Sequence, residues 1–181
     1  MASLLRSKGV EPGRDYRCAA TRRYRTGAVN IFFDVDFTIL SMDHRLRRGT
    51  HDVFGQLVED GHKVYVWSGK GARWGVVRQH QLEPFLSGVF AKPLEDFDAA
   101  LLWLRVSPTP DFVVDDYAEI VHHFGGYHIP EFYHSRDDDD ELEAVYQVVT
   151  ELTARGLAAH PRWRPRPKPL DEGLDPDSIA S

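Results

Sequence analysis

The sequence predicts an α/β fold: a single three-layer sandwich around a mostly parallel central sheet of about five strands. Short β-branched and aromatic runs, which are typical of buried strands, alternate with segments whose apolar residues recur at helical spacing. Strands that alternate with helices through short connections form a parallel sheet with helices on both faces. The predicted arrangement is Rossmann-like.

The first half of the chain begins this alternation. The hydrophobic run 29–33 predicts the first strand. A helix over 50–61 follows, because its apolar residues fall on one face, and Thr50 is expected to cap it. The second strand is predicted at 64–67, and the small residues of 68–71 indicate a turn after it.

The middle of the chain continues the pattern. A helix over about 72–82 leads to a short strand at 88–90. Apolar residues at helical spacing over 94–104 predict the next helix, which must end before Pro108. The run 111–116 is predicted to be a further strand that ends in two aspartates.

The last structured part combines one ambiguous segment with one clear one. Residues 125–133 hold a candidate edge strand. Apolar residues over 142–152 form the clearest amphipathic helix of the chain, and the acidic run 137–141 is expected to open it, because negative charge favours a helix N-terminus.

Both ends of the chain differ from this central domain, which we predict to cover residues 29–158. Residues 1–28 are rich in arginine and lack apolar periodicity, so they are expected to form an arm. Residues 159–181 begin with prolines that alternate with bulky and charged residues, which favours an extended, disordered tail outside the core.

Composition is that of an ordinary globular protein. Of the 181 residues, 42% are hydrophobic and 28% are charged, which suits one domain with a sizeable core. The formal net charge of -6 disfavours a protein built to hold nucleic acid. Cys18 is the only cysteine, so no intrachain disulfide can form, and we find no apolar signal peptide or membrane span. We expect a cytoplasmic protein without membrane contact.

Carboxylates and a serine follow the predicted strand ends: Asp34, Asp36, Ser68, Asp115 and Asp116. Right-handed crossovers place the C-terminal ends of parallel strands at one edge of the sheet, so these side chains are expected to converge. Carboxylates this close repel each other and need a cation between them or a raised pKa. Each residue alone would more simply be a turn or cap residue. Together they predict metal-assisted chemistry.

These residues resemble the motifs of the haloacid dehalogenase superfamily of phosphohydrolases. The resemblance rests on Asp34-x-Asp36-x-Thr38, Ser68, Lys92 and Asp115-Asp116 in that order, and it covers residues 29–121. It implies a Mg²⁺-dependent phosphatase that hydrolyses a phosphate monoester through an aspartyl-phosphate. An acid at position 36 is typical of the phosphatases of that superfamily and not of its metal-free dehalogenases.

The resemblance also implies a role for each residue. Asp34 would be the nucleophile, Asp36 the general acid and base, and Thr38 would support the loop that carries them. Ser68, Gly69 and Lys92 would bind the phosphoryl oxygens. The implied Mg²⁺ ligands are Asp34, the backbone carbonyl of Asp36, and Asp115 or Asp116.

The intervals between the motifs leave no room for a cap domain, because loops, helices and a short strand already occupy them. This resembles the capless branch of the superfamily, whose open sites accept large substrates or are covered by a neighbouring subunit. We expect a small phosphorylated substrate, with a nucleotide or sugar phosphate as the first guess. A homo-oligomer in which a neighbouring subunit covers the open site is one of the two arrangements that the resemblance allows. Residues 40–50 are predicted to form a short flap over it.

Several alternatives remain open at this point. The chain could be a non-catalytic phosphate-binding or scaffolding module that works through its arm or tail, or a phosphatase for nucleic-acid phosphate ends. Lys70 and Arg73 are either a second phosphate contact or a solvated helix start. Four histidines lack the spacing that is usual for zinc ligands, so surface positions are favoured over a zinc cluster. They are His122, His123, His128 and His134.

Overall fold

A six-stranded β-sheet organises residues 27–167, the part of the chain that the computed structural model describes. The strands are β1 (Asn30–Asp34), β2 (Lys63–Ser68), β3 (Leu86–Ala91), β4 (Phe112–Asp115), β5 (Gly126–His128) and β6 (Trp163–Arg164). They lie in the order β3-β2-β1-β4-β5-β6, with β1 to β5 parallel and β6 antiparallel to β5. The predicted α/β class and mostly parallel sheet are confirmed.

Helices pack on both faces of this sheet. They are α1 (Thr50–Glu59), α2 (Trp74–Gln79), α3 (Phe97–Trp103), α4 (Ala118–Phe124) and α5 (Glu141–Arg155), with a short 3₁₀ helix at Glu83–Phe85. One core cluster joins the sheet to α1, α2 and α5, and a second joins it to α3 and α4. Ile31 and Phe33 belong to the first cluster and Phe32 to the second, since consecutive strand side chains alternate between faces. This explains why β1 is hydrophobic throughout.

The sixth strand corrects the predicted count of about five. β6 lies within the proline-rich segment that we expected to stay outside the core, but Trp163 and Arg164 pair with Tyr127 and Gly126. A two-residue strand at the sheet edge tolerates neighbouring prolines, because few of its N–H groups are needed for pairing. Residues 1–26 and 168–181 lie outside the described residues, and with them most of the predicted arm and the end of the tail.

The other differences concern the helices. α1 begins at Thr50, but its N-cap is Gly49, whose φ of +80° suits glycine, and the Thr50 hydroxyl instead donates to the carbonyl of Arg47 at 2.7 Å. α4 was not predicted.

None of the helices within residues 27–167 has both the length and the hydropathy that a membrane span requires.

Candidate active site

The predicted site residues meet at the C-terminal edge of the sheet. Asp34 ends β1, Ser68 ends β2 and Asp115 ends β4, so their side chains leave neighbouring parallel strands at one level. Asp36 and Asp116 lie just beyond β1 and β4, and Lys92 follows β3. The sheet topology therefore gathers residues that are far apart in sequence.

Lys92 lies between two buried carboxylates. Its Nζ is 2.8 Å from Oδ1 of Asp34 and 3.1 Å from both carboxylate oxygens of Asp115. The side chain of Lys92 is only 8% exposed, and the carboxylates of Asp34 and Asp115 are almost fully buried. Little water screens these contacts, so each charge depends strongly on the others.

Asp34, Asp115 and Asp116 form a carboxylate cluster. One oxygen from each lies within 4.8 Å of the other two, and within residues 27–167 this is the only such group of three or more acidic, histidine or cysteine residues. The four predicted surface histidines do not contribute to it. Carboxylate oxygens are hard ligands that suit Mg²⁺, and the cluster carries more negative charge than Lys92 neutralises. The donor set therefore fits a divalent cation.

Burial shifts the ionisation of this cluster. It raises the pKa of Asp34 well above the usual value, and Asp115 raises it further, while Lys92 opposes the shift. It also raises the pKa of Asp115 to about 6, again against the effect of Lys92. Burial lowers the pKa of Lys92, but the charges of Asp115 and Asp34 outweigh it and leave that pKa above the usual value. The ammonium group of Lys92 therefore stays protonated, and its single positive charge is not enough to balance the carboxylates around it.

Asp36 lies apart from the cluster and has its own partners. Its Oδ2 accepts a hydrogen bond from the Ser68 hydroxyl at 2.8 Å, and its Oδ1 accepts one from Lys70 Nζ at 2.8 Å. Arg73 Nη2 is 3.4 Å from the same Oδ1. Burial raises the pKa of Asp36, but the hydrogen bonds from Lys70 and Ser68 and the charge of Arg73 outweigh it, so the pKa is lowered. Lys70 and Arg73 thus contact the second carboxylate of the site.

The turn after β2 is built from loop backbone. α2 begins only at Trp74, two residues after the predicted start, so the amides of Ser68 and Gly69 do not form a helix N-terminus. Ser68 Oγ accepts the N–H of Lys70 at 3.0 Å. A Cβ at Gly69 would lie 3.0 Å from a methyl carbon of Leu94, so only glycine lets Leu94 pack this closely.

Thr38 connects the loops after β1 and β4. Its hydroxyl donates to Oδ1 of Asp116 at 3.1 Å, and its carbonyl accepts a hydrogen bond from Arg47 Nη1 at 2.9 Å. Arg47 is itself buried and pairs through Nε with Asp139 at 2.9 Å. None of the residues 40–50 lines the cavity over the site, and the contacts of Arg47 hold this segment in place. The predicted flap is therefore wrong.

A cavity of about 220 Å³ opens over these residues. Its polar lining is Asp34, Asp36, Ser68, Gly69, Lys70, Lys92 and Asp116, and its apolar and aromatic lining is Phe37, Leu94, Tyr117 and Ile120. The sequence analysis did not select the second group. Phe37 and Tyr117 directly follow predicted site aspartates, which is the one sequence signal that could have indicated them.

Comparison of the chain with models of protein families, with curated proteins and with solved structures found no match. What the site can do therefore follows from its own geometry. A buried carboxylate beside an ammonium group, a second carboxylate with hydroxyl and cationic partners, and an acidic cluster that fits a divalent cation suit reactions of a phosphorylated ligand.

Proposed function

We propose that the protein is a Mg²⁺-dependent phosphomonoesterase of the haloacid dehalogenase type, from its capless branch. The observation that carries the proposal is the position of Asp34, which lies 2.8 Å from Lys92 and within the carboxylate cluster while also lining the cavity. A nucleophile for phosphoryl transfer needs this combination of access and neighbouring positive charge, because the phosphate oxygens repel an approaching anion.

In the first step, a carboxylate oxygen of Asp34 attacks phosphorus and the ester bond breaks. Asp36 gives a proton to the departing oxygen, which leaves as an alcohol, and the phosphoryl group stays on Asp34. In the second step, Asp36 removes a proton from water as the water oxygen attacks phosphorus. The Asp34 carboxylate and inorganic phosphate are then released, so no further reactant is required.

Contacts of Asp36 support its two roles. A phosphoryl group in the cavity would compete with Asp36 for the Ser68 hydroxyl and for Lys70, both of which now donate to its carboxylate. Losing these donors raises the pKa of Asp36 and favours its protonated form as the ester binds. When inorganic phosphate leaves the site, Ser68 and Lys70 would return to Asp36.

Bound Mg²⁺ would supply positive charge that neutralises the phosphoryl oxygens. Asp34 and Asp116 are the carboxylates we assign to it, together with the backbone carbonyl of Asp36. Asp115 already accepts hydrogen bonds from Lys92 at both oxygens and from the Tyr117 N–H at 2.9 Å, whereas Asp116 accepts one from Thr38 at one oxygen. Asp116 is thus the less committed of the pair.

Steady-state hydrolysis of 4-nitrophenyl phosphate, with Mg²⁺ and with EDTA, tests the proposal. We expect turnover that requires Mg²⁺ and is abolished in Asp34→Asn, and unchanged turnover in the control Asp52→Asn, which alters an exposed aspartate of α1. Binding of phosphate without turnover of any ester would instead favour the non-catalytic module. A 3'-phosphorylated oligonucleotide included in the assay tests the nucleic-acid alternative.

A further inference from the structure

The cavity has an apolar side that the proposed chemistry does not use. Phe37, Leu94, Tyr117 and Ile120 line it together with the phosphoryl-binding residues. Ile120 is buried, but Leu94 is 67% exposed and Tyr117 is 62% exposed. Large apolar side chains with this much exposure beside a polar pocket indicate a surface that a ligand covers.

Phe37 is held at the cavity by an uncommon backbone conformation. Its φ of +63° lies in the left-handed region, which bulky side chains rarely adopt. The conformation is fixed from both sides: the Phe37 N–H donates to the Leu40 carbonyl at 2.8 Å, and the Phe37 carbonyl accepts from the Phe132 N–H at 2.7 Å. Strain that the surrounding structure enforces at a pocket is characteristic of functional positions.

The Phe37 ring is also supported from two directions. The ring of Tyr133 packs against it with centroids 5.1 Å apart, and Lys70 Nζ lies 5.8 Å from its centroid. Lys70 also donates to Asp36, so the same ammonium group contacts both the Phe37 ring and the proposed general acid. On the other side, Leu94 packs over Gly69 next to the phosphoryl-binding turn. The apolar surface therefore begins close to where the ester oxygen of a substrate would lie.

We propose that Phe37, Leu94 and Tyr117 form a leaving-group subsite that selects phosphate monoesters with an aromatic ring on, or one methylene from, the ester oxygen. The inference rests on the proposed function and narrows its substrate class. A sugar phosphate fits less well, because Phe37 and Leu94 offer no hydrogen bond and only the Tyr117 hydroxyl could serve one of its several hydroxyl groups. A hydroxyl that loses water without a partner costs free energy. A flat ring loses little water there and gains apolar contact.

The test compares two alkyl esters of similar chemical reactivity, benzyl phosphate and glycerol 3-phosphate, in the full chain with Mg²⁺. We expect kcat/KM to favour benzyl phosphate by about tenfold, the ratio that burial of part of one ring against apolar side chains supports. Leu94→Ser should reduce this ratio roughly fivefold. Phe37→Asn, which keeps a residue that tolerates positive φ while removing the ring, should reduce it similarly. The control Leu102→Ser changes a leucine that is 79% exposed on α3 and should leave the ratio unaltered.

Calorimetric binding of benzylphosphonate and methylphosphonate, which cannot be hydrolysed at an ester bond, separates the subsite from catalysis. We expect benzylphosphonate to bind about tenfold more tightly, with the preference reduced in Leu94→Ser. Hydrolysis of both esters at equal efficiency would overturn the subsite and leave the phosphatase standing. Tighter benzylphosphonate binding without any hydrolysis would support the subsite and overturn the phosphatase. Neither binding nor hydrolysis would overturn both.

Discussion

Replacing Lys92 with methionine tests the electrostatic account of the site. The substitution keeps most of the apolar stem and removes the ammonium group that lies 2.8 Å from Asp34 and 3.1 Å from Asp115. Two buried carboxylates would then lack their shared cation. Removing one partner of a buried ion pair typically costs about 3 to 5 kcal/mol of unfolding free energy, because the remaining charge is uncompensated.

The sign of the pH dependence follows from the raised pKa values. Burial raises the pKa of Asp34 and sets that of Asp115 at about 6, and both shifts are opposed by Lys92. A carboxylate with a raised folded-state pKa contributes stability that is fully present below its unfolded pKa and lost as pH rises through the folded value. Without Lys92 both pKa values rise further, so this loss becomes larger and extends to higher pH.

Urea denaturation in EDTA at about pH 5 and about pH 8 measures the effect. We expect Lys92→Met to lose about 3 to 5 kcal/mol at about pH 8 and roughly half as much at about pH 5, where the carboxylates can protonate. The control Lys63→Met alters an exposed lysine at the start of β2 and should change stability by no more than about 0.5 kcal/mol. A loss that is equal at both pH values, or below about 1 kcal/mol at about pH 8, would refute the reasoning.

Three further predictions concern neighbouring residues. Asp115→Asn removes one buried negative charge while Lys92 keeps Asp34 as a partner, so at about pH 8 in EDTA the melting temperature should rise. A lower melting temperature in EDTA would contradict this. Thr38→Val removes the hydrogen bond to Asp116 and should cost about 1 kcal/mol of unfolding free energy. It should also raise the Mg²⁺ concentration needed for half-maximal turnover, and an unchanged Mg²⁺ titration curve would count against the role of Thr38. Arg47→Met should lose about 3 to 5 kcal/mol in urea denaturation, because Arg47 is buried, whereas the exposed Arg45→Met should lose little, and equal losses would show that Arg47 does not anchor its segment.

Strong local patterns made most of the fold predictable. β1 is hydrophobic at every position because helices cover both faces of the sheet, and α5 shows an uninterrupted apolar stripe, so each could be recognised from nearby residues alone. β6 has two residues, and its pairing with β5 joins segments that are distant in sequence. α4 has seven residues directly after the aspartate pair, which is too short for a clear period.

Sequence also indicated which polar residues meet in the site, because strand ends of a parallel sheet share one edge. It could not indicate the cavity wall, since an exposed leucine such as Leu94 and a core leucine look alike in a sequence. It also predicted a flap over 40–50, because it could not indicate that Arg47 of this segment pairs with Asp139, which lies 92 residues away. Arginine side chains are normally solvated, and only the folded structure supplies the carboxylate of Asp139 and the carbonyls that accept hydrogen bonds from the buried Arg47.

Trapping of a phosphorylated intermediate by acid quench tests the central claim most directly. The protein is mixed with Mg²⁺ and excess 4-nitrophenyl phosphate and quenched with acid, and its phosphorylated residues are mapped by mass spectrometry in the wild type, in Asp36→Asn and in Asp34→Asn. We predict a base-labile phosphoryl group on Asp34, which accumulates in Asp36→Asn because the base for its hydrolysis is missing, and which is absent from Asp34→Asn. Product release by the wild type together with a phosphoryl group on another residue, or undiminished turnover by Asp34→Asn, would contradict the proposed mechanism.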